Sequence, residues 1–189
     1  MGTAAADPFA REYAIILHNQ GRNDEAIALI TEELANARSG YGSSQREQLL
    51  LLKGLLYGAD TLSGRDALRA LVREGKNREV MAVALQLLAR ADTSLQRAEL
   101  IDFLNGFMPN PGEDPEPQAG THPLLGQMYY IRSQLSLVRG ETTAAEADAR
   151  RLLEQFPGLS EITNVYRLLA YAALQRQPAQ YRAAADFLI

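Results

Sequence analysis

The sequence predicts an all-α protein built from antiparallel helix pairs that stack side by side. Alanine and leucine dominate its composition while β-branched residues are scattered, which favours helices over sheets. Apolar residues recur at helical spacing along most of the chain, and glycine or proline interrupts the pattern at short intervals. Because helices joined by only a few residues must lie antiparallel, each interruption predicts a helix hairpin.

The first predicted hairpin begins at Asp7 and Pro8, a pair suited to the first turn of a helix. Its first helix has a predicted apolar face of Phe9, Tyr13, Ile16, Leu17 and Gln20. Gly21 ends that helix. The second helix carries an apolar stripe of Ala26, Ile27, Ile30 and Leu34.

The same alternation continues to the end of the chain and gives about five hairpins. Helices are predicted at about 8–20, 23–38, 45–59, 64–74, 78–90, 93–107, 123–139, 142–155, 160–176 and 179–188. Residues 108–123 depart from the pattern with five of the eight prolines, so we expect neither helix nor core there. This loop is either a plain linker or a partner contact, and it divides a single domain, 1–189, into sub-stacks at about 1–107 and 124–189.

Gly21 lies in the clearest candidate turn between two helices. Ala14 stands seven residues before it, Leu17 four before it and Ala26 five after it. This pattern resembles the inter-helix turn of the tetratricopeptide repeat family. The resemblance implies that Gly21 takes the left-handed backbone conformation and that Ala26 lets the two helices approach closely.

Gly140 has the same surroundings, with Ser133 and Ala145 at the matching small positions. Pro157 stands where the family's repeat-ending proline is expected, and a helix must stop just before it. The turns between these two units, predicted near 62–64 and 91–92, and a later one near 177, are irregular. The resemblance, strong over about 8–38 and 124–157, therefore implies a divergent right-handed α-solenoid whose centre could belong to another solenoid type.

No catalytic or metal-binding constellation is apparent, so we expect no enzymatic activity and no cofactor. Cysteine is absent, which removes thiolate catalysis and Cys-ligated zinc. The two histidines lie on different predicted elements: His18 is expected on a helix surface, and His122 in a loop or capping a helix. Residues 40–44 lack the lysine that ends a phosphate loop.

Charge and hydropathy exclude two classes of partner. A net charge of −4 with dispersed basic residues argues against nucleic acid. No apolar run approaches the ~20 residues needed to cross a bilayer, so we expect no membrane insertion.

The source and the compartment are only partly indicated by the sequence. Arginine takes the place of lysine almost everywhere except at Lys53 and Lys76, which is typical of a GC-rich bacterial genome. Residues 1–6 do not resemble a signal peptide, and the compartment stays open between bacterial cytoplasm and periplasm.

The family resemblance also implies a binding groove. Family members bind partner segments with residues ten, six, three and two positions before the turn glycine. In this sequence those positions hold Arg11, Ile15, His18 and Asn19 in the first repeat, and Tyr130, Gln134, Leu137 and Val138 in the second. Alternatively, Tyr130, Leu137 and Val138 pack as core between repeats. The implied function is a non-catalytic scaffold for a protein or peptide segment.

Residues 152–160 are also similar to repeats of periplasmic assembly proteins, which suggests a role in bacterial envelope assembly. Two alternatives remain open: a self-associating structural module, and a helical regulatory part of a larger enzyme. The apolar ending Phe187, Leu188 and Ile189 is expected where a longer repeat protein continues or where the chain packs against a partner, including a second copy in a homo-oligomer.

Overall fold

The structure, a computed structural model, describes residues 9–36, 43–90, 93–111, 122–176 and 180–188. These residues form ten α-helices without any strand, which confirms the all-α prediction. The helices are α1 (Ala10–Asn19), α2 (Asn23–Asn36), α3 (Ser43–Tyr57), α4 (Leu62–Glu74), α5 (Arg78–Ala89), α6 (Ser94–Asn105), α7 (Leu125–Val138), α8 (Thr142–Gln155), α9 (Ile162–Gln175) and α10 (Tyr181–Asp186). They divide into two compact units, Met1–Asp92 and Thr93–Ile189.

In the first unit each helix packs against the next, and α3 also contacts both α1 and α5. Apolar residues that face each other across α1, α2 and α3 form one continuous core. Its buried members are Ala14, Leu17, Ala26, Ile30 and Leu49. The stripe predicted for α2 is therefore confirmed at Ala26, Ile30 and Leu34, whereas the half-buried Ile27 is not part of this core.

The apolar face predicted for α1 is wrong in most of its members. Phe9, Tyr13 and Ile16 are 70%, 49% and 51% exposed, and of the predicted set only Leu17 is buried. The inward side of α1 is instead made by Leu17 with the small residues Ala10 and Ala14. Because α2 and α3 approach α1 closely, alanine fills the contact and the larger side chains point away from it.

The turn between α1 and α2 has the geometry implied by the family resemblance. Gly21 has φ +78°, the left-handed conformation that glycine adopts without steric cost. The Arg22 amide donates to the Leu17 carbonyl at 2.9 Å, which closes the end of α1. Ala14 and Ala26 are fully buried.

The turn between α3 and α4 lies slightly earlier than the predicted position at residues 62–64. Gly58 takes the left-handed conformation there, with φ +79°. Thr61 caps α4 by accepting the Gly64 amide at 3.1 Å, and α4 begins at Leu62. Gly64 itself lies inside α4, where a Cβ atom would meet the Gly58 carbonyl oxygen at 1.9 Å. Sequence spacing could not tell which glycine forms the turn.

The second unit repeats the arrangement: α7 contacts α6, α8 and α9, and α9 also contacts α8 and α10. Gly140 has φ +79°, and Glu141 donates to the Ser136 carbonyl at 2.9 Å, as Arg22 does to Leu17. The Ser133 hydroxyl of α7 donates to the Ala145 carbonyl of α8 at 2.8 Å. Helix α8 ends at Gln155, before the proline, as predicted.

The interior of this unit contains an ion pair. Arg132 of α7 donates from Nε and Nη2 to the two carboxylate oxygens of Asp148 on α8, both at 2.7 Å, and both side chains are fully buried. Its Nη1 donates to Asn105 of α6 at 2.8 Å. Helix α6 therefore belongs to the second unit, whereas the sequence placed it in the first sub-stack.

Some predictions fall on residues outside the described ranges. These are the helix start at Asp7 and Pro8, the glycine-rich residues 40–42, the turns near 91–92 and 177, most of the proline-rich loop, 112–121, and Ile189. At the beginning of that loop Met108 is buried, so the expectation of no core is wrong at this position. At its end, His122 accepts the Leu124 amide at 3.1 Å and lies in the loop ahead of α7, whose N-cap is Leu124.

Candidate partner-binding face

The four residues predicted to bind a partner on α1 lie along one side of that helix. Arg11, His18 and Asn19 are exposed, and Ile15 is half-buried. Arg11 pairs with Glu12 at 3.1 Å, and His18 Nδ1 lies 2.7 Å from Asn23 Oδ1. His18 is thus a surface residue, as expected from the sequence.

The predicted residues of α7 divide into two environments. Gln134 is exposed, and its amide donates to the hydroxyl of the half-buried Tyr130 at 3.0 Å. One turn further on, Val138 is 66% exposed. Leu137, in contrast, is buried against Ala145 and Ala172, so at this position the core alternative is correct.

Helix α9 contributes a second row of exposed residues beside α7. The row recurs at i, i+3, i+7 and i+10, so its members share one side of the helix. They are Asn164, Arg167, Tyr171 and Leu174. The sequence did not reveal this row, because no glycine marks the end of α9 and its register could not be set.

Tyr130 joins the two rows, since its hydroxyl lies beside Asn164 of α9 and near Glu161, the N-cap residue of that helix. We call the combined surface the α7–α9 face. It consists of Tyr130, Gln134, Val138, Asn164, Arg167, Tyr171 and Leu174. The face lies within the second unit, and the α1 residues lie in the first.

The hydroxyl of Tyr130 stays protonated well beyond neutral pH. Partial burial raises its pKa, and the neighbouring Glu161 carboxylate raises it further, while the Asn164 amide acts in the opposite direction. At neutral pH the hydroxyl can therefore both donate and accept a hydrogen bond.

Arg167 gives the face its positive charge. Its Nη1 donates to Asn164 Oδ1 at 3.4 Å, and within the part of the chain that the structure describes it forms no ion pair with a carboxylate. An exposed guanidinium in this position can receive a carboxylate in bidentate geometry.

No family model, curated protein or solved structure matches the chain.

The α7–α9 face presents polar and apolar groups that can contact a peptide segment. Amides at Gln134 and Asn164 can bond to a peptide backbone, and Val138, Tyr171 and Leu174 can bury apolar side chains. Over the described ranges, no group of three or more His, Asp or Glu side chains could hold a metal ion. Among the helices of these same ranges, none has the length and apolar composition that a membrane span requires.

The first unit contains an open groove of about 600 Å³ lined by residues of α2, α3 and α4. Its charged side chains already have partners. Arg46 pairs with Glu74 at 3.3 Å and Asp66 with Arg69 at 3.8 Å, and the Lys53 ammonium lies 5.9 Å from the centre of the Tyr57 ring.

Proposed function

We propose that this protein is a non-catalytic protein-interaction scaffold, a divergent α-solenoid of the tetratricopeptide type. The α1–α2 and α7–α8 hairpins support this proposal by their common plan. Both turns use a left-handed glycine, and both hairpins bury a small residue seven positions before it and an alanine five positions after it. Contacts between consecutive and alternate helices in each unit are those that stacked hairpins make.

The α7–α9 face is the part of this scaffold that we propose binds a partner segment. The observation that carries the proposal is the juxtaposition of exposed apolar, amide and guanidinium groups on two adjacent helices. Exposing Val138, Tyr171 and Leu174 together costs solvation free energy that a bound partner would recover. Arg11, Ile15, His18 and Asn19 on α1 are proposed to make a similar contribution in the first unit.

Photo-crosslinking tests this assignment directly. A photoreactive amino acid in place of Gln134 should capture a partner in the native lysate, because this side chain is exposed at the centre of the face. The same amino acid in place of Glu154, exposed on α8, is the matched control. Capture by both positions to the same extent would contradict the proposal.

The captured protein then allows a quantitative test with purified components. Tyr171→Ala and Arg167→Ala should each weaken its binding at least about tenfold, the loss expected for central contacts of an interface. Glu154→Ala should leave the affinity unchanged. The identity of this partner would also decide between envelope assembly and a role in the cytoplasm.

A further inference from the structure

Helix α6 ends at the dipeptide Asn105–Gly106, the one place in the sequence where glycine follows asparagine. The other six asparagines precede glutamine, aspartate, alanine, arginine, proline or valine. The side-chain amide of an asparagine can be attacked by the backbone nitrogen of the next residue, and glycine has no side chain to obstruct that approach. The dipeptide therefore has the chemical arrangement that spontaneous deamidation requires.

The Gly106 nitrogen lies in the last and most loosely bonded turn of α6. Gly106 is the exposed C-cap residue, and its amide donates to the Phe103 carbonyl at 3.3 Å. This distance is longer than usual for such a bond, and helix ends open more readily than helix interiors. When the bond opens, Asn105 can leave the helical conformation and bring its side-chain carbon to the Gly106 nitrogen.

The side-chain oxygen of the half-buried Asn105 lies against a guanidinium group. Arg132 Nη1 donates to Asn105 Oδ1 at 2.8 Å, while the Nε and Nη2 of the same side chain bind Asp148. Arg151 also acts electrostatically on Asp148. A carboxylate at position 105 would accept a charge-assisted hydrogen bond from Arg132, which is stronger than the bond to an amide. Two carboxylates would then be balanced by two guanidinium groups.

We propose that Asn105 is a deamidation site and that Arg132 binds the carboxylate that forms there. The Gly106 nitrogen forms a bond to Cγ of Asn105 and loses its proton to hydroxide. The Cγ–Nδ2 bond breaks, and the amide group leaves as ammonia after taking a proton from water. Water then opens one of the two carbonyl–nitrogen bonds of the resulting succinimide ring, which gives either aspartate or isoaspartate.

The two products should affect the contact between α6 and α7 differently. Aspartate leaves the main chain unchanged, so its carboxylate can replace the amide opposite Arg132. Isoaspartate runs the main chain through the side-chain carbon and so lengthens it by a methylene group at the end of α6. This change displaces the carboxylate from the position of Oδ1. Deamidation therefore either strengthens the polar link between α6 and α7 or breaks it.

Peptide mass spectrometry of the full chain, kept folded at mildly alkaline pH, tests the site. Asn105 should deamidate at least about tenfold faster than Asn19, Asn23 or Asn164, which are exposed but precede other residues. A tenfold ratio corresponds to about 1.4 kcal/mol of activation free energy. Circular dichroism during the incubation verifies that the helices persist.

Gly106→Ala is the matched variant for the attacking nitrogen. A φ of −67° suits alanine, and the added Cβ would meet only the Phe103 carbonyl oxygen within 4 Å, at 3.3 Å. The variant should therefore keep its fold. Its methyl group obstructs the ring closure, so deamidation of Asn105 should slow at least about tenfold.

Asn105→Asp tests whether Arg132 binds the product. In the unaltered chain this substitution should leave the urea midpoint of unfolding equal or raise it. The same substitution in a chain with Arg132→Met and Asp148→Leu should lower the midpoint, because the new carboxylate then lacks its guanidinium. The double substitution is a suitable background, since replacing both partners of a buried ion pair is often tolerated.

Three results would overturn the proposal. The first is an Asn105 that stays intact as long as the three exposed asparagines do. The second is a Gly106→Ala chain that deamidates at the unaltered rate, and the third is an Asn105→Asp substitution that lowers the midpoint equally in both backgrounds. None of these measurements involves the α7–α9 face, so this inference and the proposed function can fail separately.

Discussion

Arg132 and Asp148 form a bidentate ion pair in the interior of the second unit, with both N–O distances at 2.7 Å. The ring of Tyr129 lies against the guanidinium, 5.6 Å from centroid to Cζ. Burial raises the pKa of Asp148, although its hydrogen bonds to Arg132 act to lower it. Desolvation of the carboxylate thus opposes a pair whose geometry is nearly ideal.

Removing one partner of this pair should be far more harmful than removing both. Asp148→Ala leaves a buried guanidinium without its carboxylate and should lower the free energy of unfolding by about 3–5 kcal/mol. The double variant Arg132→Met with Asp148→Leu should be close to neutral, because it also removes the desolvation cost. Urea denaturation measures both, and equal losses in the single and double variants would contradict the prediction.

Glu47 should stabilise the beginning of α5 through the backbone. Its carboxylate oxygens, buried with the side chain, accept the amides of Lys76 at 2.7 Å and Asn77 at 3.1 Å. Glu47→Ala leaves both amides without this acceptor and should lower the free energy of unfolding by about 2 kcal/mol or more. Glu47→Gln, which keeps one carbonyl oxygen, should cost less. Hydrogen exchange at Lys76 and Asn77 is the direct measurement, and unchanged protection in the alanine variant would count against this role.

Two glycines should respond differently to alanine. In Gly21→Ala the only penalty is the strain of a positive φ, since no atom lies within 4 Å of the added Cβ. This variant should lose about 1–2 kcal/mol of its free energy of unfolding. Gly64→Ala places its Cβ 1.9 Å from the Gly58 carbonyl oxygen. Moving this backbone should cost about 3 kcal/mol or more. Thermal unfolding compares the two variants, and a smaller loss for Gly64→Ala would show that the α3–α4 turn adapts.

The raised pKa of Tyr130 predicts a stability change in alkali. A tyrosine whose pKa is higher in the folded state than the unfolded value of about 10 favours the fold while it is neutral. This contribution is fully present below the unfolded pKa and is lost as pH rises through the folded one. Near-ultraviolet tyrosinate absorbance, with Tyr130→Phe as the reference, reports the titration.

Glu161→Gln removes the neighbouring carboxylate and should lower the pKa of Tyr130 towards its ordinary value. If Tyr130 has the same pKa in this variant as in the unaltered chain, burial alone raises the pKa of its hydroxyl.

Helix positions and the two glycine turns could be predicted because both depend on local rules. Gly21 and Gly140 are marked by spacing within one hairpin, and spacing is visible in the sequence. The side of α1 that faces the core was predicted wrongly because this helix has two apolar sides. The larger side chain of Phe9 made its side look like the core-facing one, whereas Ala10 is on the side that is buried. Only the contacts of α1 with α2 and α3 show that the space between these helices accommodates alanine rather than a large side chain.

The buried polar residues escaped prediction for a related reason. Arg132 and Asp148 are charged, and a charged residue on a helix is normally a surface residue. Their burial depends on each other and on Asn105, which lies far away in the sequence. The α9 row was missed because its register could not be set without a turn glycine.

The open space around Gly21 and Gly140 has a consequence for how these two hairpins can be recognised in a sequence. These turns exclude other residues by backbone handedness alone, and asparagine tolerates that handedness better than most side chains. The turn glycine could therefore be replaced over time with little loss of packing between the helices. The sequence pattern of a hairpin can in this way disappear while the hairpin persists in the fold.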